Sequence, residues 1–261
     1  MNAPYTHPSV SSADEVPAAP EDKPAATTVA GYYDSFWSAD QERRYVPEAA
    51  LWSLILAGVT PQTQCLDVGC GTGNSYAREF LRRGISYVGV DVSPDAVTTA
   101  RAAGIDAHVI GDAAELPFAD QSFDLVLCIE VFEHLFSPHL AAREILRVLR
   151  PGGRLVASTP NVAYWRLRAN LLFGLWNPVG DELAVQQPWR DPHIRFFTPK
   201  TLKRMLGMAG FAAVQTGTHN GRLLDHLTSR PTSFGQARAY RWLERRLPSL
   251  LGLTVHAVAT K

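Results

Sequence analysis

The chain has three cysteines in 261 residues, Cys65, Cys70 and Cys128. They are too few and too scattered for a disulfide framework, and none belongs to a CxxC zinc pair. A reducing, cytoplasmic compartment is the simpler expectation. An excess of either charge is missing too, because 25 Lys and Arg balance 25 Asp and Glu. Such a chain lacks the broad positive field that holds long nucleic acid. No uncharged apolar run reaches the roughly 18 residues that a membrane span needs. Residues 1–28 lack the basic start and apolar core of a secretory signal, and Asp14, Glu15, Glu21 and Asp22 argue against a transit peptide. Pro4, Pro8, Pro17, Pro20 and Pro24, set among Ala and Ser, leave this stretch little to bury. It reads as a disordered tail. What remains is ordinary for a globular enzyme, with 46% hydrophobic and 19% charged residues.

Residues 29–261 read as one domain. An aromatic segment, GYYDSFW, precedes a helix whose apolar face holds Trp52, Leu54, Ile55 and Leu56 and which stops at Gly58 and Pro61. Strands and helices then alternate. The spacing predicts strands at 65–69, 87–92, 105–110, 123–129, 154–159, 211–217 and 254–260. The early runs are almost continuously apolar, as strands buried on both faces should be. The clearest helix is SPHLAAREILRVLRPGG. Ser137 is its expected N-cap, Pro138 its first residue, Leu140, Ala141, Ile145 and Leu149 its buried side, and Pro151-Gly152-Gly153 its stop. Alternation of this kind predicts an α/β fold: a Rossmann-like, doubly wound, seven-stranded, mostly parallel sheet with helices on both faces. Two segments break the pattern, an aromatic insertion at 160–196 and an Arg-rich helical excursion at 219–250.

The strongest local signal is Asp67-Val68-Gly69-Cys70-Gly71-Thr72-Gly73-Asn74, which closes the first strand and opens a helix. Glycines there admit positive φ and let backbone amides approach a ligand. The spacing is DxGxGxG. A dinucleotide fingerprint would need a further glycine where Asn74 stands. Asp91 closes VGVDVS, Asp112-Ala113 follows the third strand in GDAAELPF, and FDLVLCIEVFEHL and LRPGGRLVASTPN supply the next two strands.

With these motifs the sequence resembles the class I S-adenosylmethionine-dependent methyltransferases, from about residue 31 to the end. The resemblance implies an antiparallel last strand and a cofactor, S-adenosylmethionine. It implies that Asp67 orients the methionine ammonium, that Gly69, Gly71 and Gly73 let the amino-acid end lie close, and that Asp91 with Val92 holds the ribose hydroxyls. Asp112 and Ala113 would meet the adenine and Ile129 would border the cofactor. No NPPY-type tetrad follows the fourth strand, which disfavours methylation of adenine N6 or a glutamine amide. Cys70 and Cys128 read as packing residues.

Methyl transfer from a sulfonium needs alignment and, for a hydroxyl acceptor, removal of a proton. Glu130-x-x-Glu133-His134 stands where the resemblance puts the transferred methyl, and His193 follows in PHIRFFT. An ExxEH with a distant His is similar to the ubiquinone-pathway O-methyltransferases and the small-RNA 2′-O-methyltransferases. The resemblance then implies Glu130, Glu133, His134 and His193 as ligands for Mg²⁺, or for Mn²⁺ or Co²⁺ given two imidazoles. Two other readings stay open: His134 as a metal-free base, and plain packing. Tyr164, Trp165 and Trp189 in the insertion are candidate walls for the acceptor. WRLRANLLFGLW, with Trp and Leu among Arg, also suits a peripheral membrane contact. Tyr32, Tyr33 and Trp37 are expected over the cofactor. The expected activity is O-methylation of a small molecule: a quinone-like phenol, a sugar or a lipid-linked hydroxyl. The alternatives are an RNA 2′-hydroxyl, against which the zero net charge argues, and a cofactor-binding partner that transfers nothing. No obligatory protein partner is implied.

Overall fold

The computed structural model describes residues 28–39, 49–73, 76–174, 193–219, 242–243 and 246–261. Seven strands form one sheet: β1 (Gln64–Val68), β2 (Ser86–Asp91), β3 (Ala107–Val109), β4 (Phe123–Ile129), β5 (Leu149–Pro160), β6 (Ala213–His219) and β7 (Thr254–Thr260). Their order is β3-β2-β1-β4-β5-β7-β6. The first five pair in parallel, and β7 runs antiparallel between β5 and β6. The predicted Rossmann-like sheet with an antiparallel last strand is the one observed. From β1 the chain winds outward to β2 and β3, then returns to place β4 on the other side. Beyond the carboxyl ends of β1 and β4 the connections diverge, and such a switch point leaves a crevice.

The described helices are α1 (Val29–Ala39), α2 (Ala49–Leu56), α3 (Ala77–Arg82), α4 (Pro94–Ala102), α5 (Pro138–Val148), α6 (Trp165–Leu172), α7 (Pro199–Ala209) and α8 (Pro248–Leu251), with a 3₁₀ turn at Phe132–His134. None is long and apolar enough to cross a membrane. Alternate residues of each central strand feed opposite cores. Leu66, Val68, Val126 and Cys128 pack with Ala141, Ile145, Leu202 and Leu206 of α5 and α7. Cys65, Leu125, Leu127 and Val156 pack with Leu51, Ile55, Ala77 and Phe80 of α2 and α3. The two-residue period of a strand, applied with helices on both faces, produces the continuous apolar runs.

Several expected boundaries move. The helix α2 buries Leu51 and Ile55 fully, while Trp52, Leu54 and Leu56 are only partly covered. Its carboxyl end is held by the Arg154 guanidinium, which donates to the carbonyls of Leu54 at 2.7 Å and of Ile55 and Ala57 at 2.5 Å. In α5 the buried side is Ala141, Ala142, Ile145 and Val148. Leu140 is 43% exposed, and the Ser137 side chain makes no cap bond. The helix stops at Val148, and Pro151-Gly152-Gly153 lies within β5. There the pairing partner jumps from Leu149 opposite Phe123 to Arg154 opposite Leu125. A proline and a glycine at φ +77° form a bulge rather than a helix stop. The third strand shrinks to three residues, and the sixth starts two residues late and ends at His219. Residues 1–27 of the expected tail, 175–192 of the insertion, Trp37 beyond its backbone, and most of 219–250 lie outside what is described.

Candidate active site

The glycine turn owes its shape to where its backbone points. Gly69 (φ +80°), Gly71 (φ +53°) and Gly73 (φ +73°) all lie in the left-handed region, which residues with a Cβ rarely adopt. A Cβ on Gly69 would strike a Val131 methyl, and one on Gly73 would strike the Ile105 side-chain tip. The turn is tied to β2, since the Gly69 and Cys70 amides donate to the Val90 carbonyl at 2.8 and 3.0 Å. The Gly71 amide donates to Asp91 Oδ2 at 2.8 Å, and Ser93 N donates to Asp91 Oδ1 at 2.9 Å. Backbone amides therefore meet both Asp91 oxygens, the Val92 amide being a third donor, and the carboxylate keeps acceptor capacity for a ligand hydroxyl. Burial pushes the Asp91 carboxyl up, against the lowering effect of the Ser93, Gly71 and Val92 amides.

Asp67, at the end of β1, is 4% exposed. Its Oδ2 accepts the Tyr87 hydroxyl at 2.6 Å. Burial pushes its carboxyl up to about 7, although the Tyr87 bond works the other way. A carboxyl kept so poorly solvated suits a cationic partner, which would restore the charged form. Asp112 is exposed and turns its Oδ1 back to the Ala114 amide at 2.9 Å, while Ala113 is buried in the core. Val92 and Ile129 are partly covered at the ends of their strands. Cys70 packs its sulfur against Gly89, and all three cysteines are buried free thiols.

Across the crevice, the chain leaving β4 makes the second half of the site. Glu130 sits at φ +55°, strained for a non-glycine residue. Its amide donates to the Ser158 carbonyl at 3.0 Å, and Ser158 Oγ donates back to Glu130 Oε1 at 2.6 Å. Glu130 is thereby turned toward β5. The 3₁₀ turn buries Glu133 at 1% exposure, and neither of its carboxylate oxygens meets a hydrogen-bond donor. His134 Nε2 and His193 Nε2 each stand 4.0 Å from Glu133 Oε1. The two imidazole rings lie 4.5 Å apart. His193 is delivered there because the Ile194 and Arg195 amides both donate to the Glu133 carbonyl, at 2.9 and 3.0 Å. Burial pushes both glutamates above the usual carboxylate range, and Glu133 further because Glu130 stands beside it.

One ligand atom each from Glu133, His134 and His193 lies within 4.8 Å of the others. Of the four residues that the resemblance suggested, the structure brings three together and gives Glu130 to Ser158. Tyr164 is 3% exposed and stands just before α6, with no cap bond from its side chain. Trp165 packs on it at 5.9 Å, and its indole N–H has no acceptor. Trp189 lies outside the described residues. Sequence reasoning missed Tyr87, Ser93 and Ser158. Tyr87 had a signal, being two residues before Gly89, the register partner of Asp67. Ser158 had none, because its role depends on the pairing of β4 with β5.

Residues 66–157, from β1 to β5, match the family model described as a methyltransferase domain. Over these residues the chain is similar to methyltransferase domains. The Rossmann-like fold matches that of solved methyltransferase structures. Among curated relatives, norajmaline N-methyltransferase of Rauvolfia serpentina is 39% identical over 98 residues, covering 35% of this chain and 34% of the relative. The ubiquinone biosynthesis O-methyltransferase of Azorhizobium caulinodans is 34% identical over 153 residues, 56% of this chain and 57% of the relative. The matches thus span about a third to somewhat over half of these relatives. Among solved structures, a methyltransferase from Thermotoga maritima, described as a possible histamine N-methyltransferase, superposes with TM-score 0.61 at 20% identity. It covers 89% of this chain and 99% of its own, and at that identity the likeness speaks for the fold.

Proposed function

We propose that the protein transfers the methyl group of S-adenosylmethionine to a hydroxyl oxygen of a small molecule. The observation that carries this reading is the buried Glu133 carboxylate, without a donor to either oxygen and faced by two imidazoles at 4.0 Å. A buried carboxylate in that condition is costly unless a cation or proton accompanies it. One oxygen and two nitrogen donors around a common gap fit a divalent ion of the Mn²⁺ or Co²⁺ type, and less well Mg²⁺. Glu133, His134 and His193 would hold it. Bound there, such an ion supplies Lewis acidity that lowers the pKa of an acceptor hydroxyl.

The chain's own residues supply the rest. Asp67 draws in the methionine ammonium, the turn over 69–73 leaves room for the amino-acid end, and Asp91 accepts the ribose hydroxyls. These three groups would hold the cofactor in the crevice beside the β4 rim, and transfer of its methyl would require the acceptor oxygen in line with it. Glu130, held by Ser158, stands beside Glu133 and adds negative charge where a proton must leave. The relative that methylates an oxygen in ubiquinone biosynthesis supports this choice, whereas the N-methylating relative leaves the acceptor atom as a proposal.

The test is Mn²⁺ binding to protein loaded with S-adenosylhomocysteine, read by water-proton relaxation. Wild type should bind in the micromolar range, and Glu133→Gln and His193→Ala should each lose at least tenfold. No binding by wild type would remove the cation. His134, 17% exposed on its side chain, would then stand alone as the base, and the acceptor would be open among O, N and C nucleophiles.

A further inference from the structure

The helices α5 and α7 lie side by side on one face of the sheet and share the core built on Ala141, Ile145, Leu202 and Leu206. Each leads from the carboxyl end of one strand to the start of the next strand running the same way, so the two helices are parallel. Both begin at the edge of the sheet that carries the candidate site: α5 at Pro138, just beyond His134, and α7 at Pro199, just beyond the segment that delivers His193. The outward side of this pair carries charge of one sign. Arg143 stands opposite the buried Ala141, Ala142, Ile145 and Val148, and Arg204 opposite Leu202, Leu206 and Ala209. Lys200 and Lys203 are exposed with them. None of these four cations meets a carboxylate among the described residues. No acidic residue occurs in α7. Glu144 of α5 is occupied by Arg147 at 2.7 Å and by the Leu116 amide at 3.0 Å. In a chain whose formal charges cancel, this is a local positive excess. Large apolar side chains are exposed on the same helices and just before α5: Phe136 at 73%, Met208 at 78%, and Leu140.

From this juxtaposition of unpaired cations and exposed apolar side chains we infer that the outer face of α5 and α7 docks on an anionic lipid bilayer. Cations alone would suit a phosphate chain equally well. The apolar residues among them decide for a bilayer, because Phe136, Leu140 and Met208 gain by entering the acyl boundary, whereas a solvated phosphate backbone has nothing to bury them in. Shape agrees: two parallel helices packed on a sheet present a broad, level surface. The contact is peripheral, in keeping with helices too short and polar to cross a membrane. The sequence pattern suggested a membrane contact at WRLRANLLFGLW, whereas the unpaired charge described here lies on other helices. Docking in this way brings the edge that holds Glu133, His134 and His193 close to the headgroups, where a lipid-borne hydroxyl could reach it without leaving the bilayer. That choice of acceptor rests on the methyl-transfer reading above, but the docking does not.

The experiment floats the full chain with vesicles of phosphatidylcholine and phosphatidylglycerol in a three-to-one ratio, and with vesicles of phosphatidylcholine alone. Wild type should partition onto the anionic vesicles at low salt, should be released as salt rises, and should ignore the neutral ones. A cation near an anionic surface contributes roughly fivefold in partitioning, so Arg143→Gln and Arg204→Gln should each lose about fivefold and the double variant roughly 25-fold. Both side chains are exposed, so the variants should melt as wild type does. Arg78→Gln removes an equal charge from α3, on the opposite face of the sheet, and should stay within about twofold of wild type. Met208→Ser should weaken binding by about threefold or more even where charge is screened. No partitioning onto anionic vesicles, equal partitioning onto neutral ones, or a double variant within twofold of wild type overturns the inference. So does wild type that ignores vesicles but binds a single-stranded RNA oligonucleotide and loses it in the double variant, which would assign the face to nucleic acid. Partitioning is read without turnover, so failure of the methyl-transfer reading leaves these outcomes unchanged.

Discussion

The role proposed for Asp67 predicts a calculable pH dependence of cofactor affinity. Its carboxyl is 4% exposed, and burial pushes it up to about 7, partly offset by the Tyr87 hydroxyl at 2.6 Å and reinforced by Asp91. In the empty site it is therefore half protonated near neutrality. A bound ammonium favours the ionised form, so binding must release a proton wherever Asp67 was neutral. The affinity then falls by a factor of 1 + 10^(7 − pH), which is roughly elevenfold at pH 6 and about 1.1-fold at pH 8. That tenfold ratio corresponds to about 1.4 kcal/mol. Titration calorimetry with S-adenosylhomocysteine, whose ammonium stays protonated over this range, reads both quantities. At pH 6, heats in two buffers of different ionisation enthalpy should reveal roughly 0.9 proton released per ligand. Asp67→Asn should bind more weakly at pH 8, by about 1.5–3 kcal/mol for a lost charge-assisted bond, and its affinity should lose most of the dependence. Tyr87→Phe removes the one lowering contact and should shift the transition to higher pH. An affinity constant within twofold between pH 6 and 8 in wild type, or the same slope in Asp67→Asn, would refute the assignment of the ammonium to Asp67.

Other expectations follow from the same structure. Burial pushes the His219 imidazole down to about 4, and His256, with Nδ1 3.1 Å away, adds to the effect. A depressed imidazole contributes stability that is intact above the unfolded value of about 6.5 and is lost as pH falls toward 4, by up to roughly 3 kcal/mol. Urea unfolding at pH 7.5 and pH 5 should show this loss in wild type and a much smaller one in His219→Gln; equal losses would exclude the pair as its source. Gly73→Ala places a Cβ against Ile105 at φ +73° and should lower stability by about 1–3 kcal/mol, with cofactor binding weakened further, measured by melting with and without S-adenosylhomocysteine. Ser158→Ala frees the Glu130 carboxyl from its 2.6 Å bond. It should change Mn²⁺ affinity less than Glu133→Gln does, and an equal loss would show that Glu130 belongs among the ligands.

The sequence by itself determined the sheet and the glycine turn that closes β1. Strand character is a property of a few neighbouring residues, so the runs around Val68, Val90 and Val126 were legible without partners. The glycine spacing after Asp67 was legible for the same reason, because positive φ at 69, 71 and 73 is demanded within one turn. Tertiary structure decided whatever depends on what lies opposite. Pro151-Gly152-Gly153 looks like a helix stop until the pairing of β4 with β5 makes it a bulge. Leu140 looks like a core position until α5 is rotated so that Ala141 and Ala142 face the sheet. Glu130 and Glu133 look equivalent in ExxEH. Only the neighbouring strand, carrying Ser158, separates a carboxyl that is satisfied from one that is buried without a donor. His193 lies 59 residues from His134, and it reaches the same carboxylate only because two backbone amides after it bind the Glu133 carbonyl. Local stereochemistry can be read along the chain, whereas electrostatic environment is set by residues distant in sequence, and here the reaction side of the crevice depends on it.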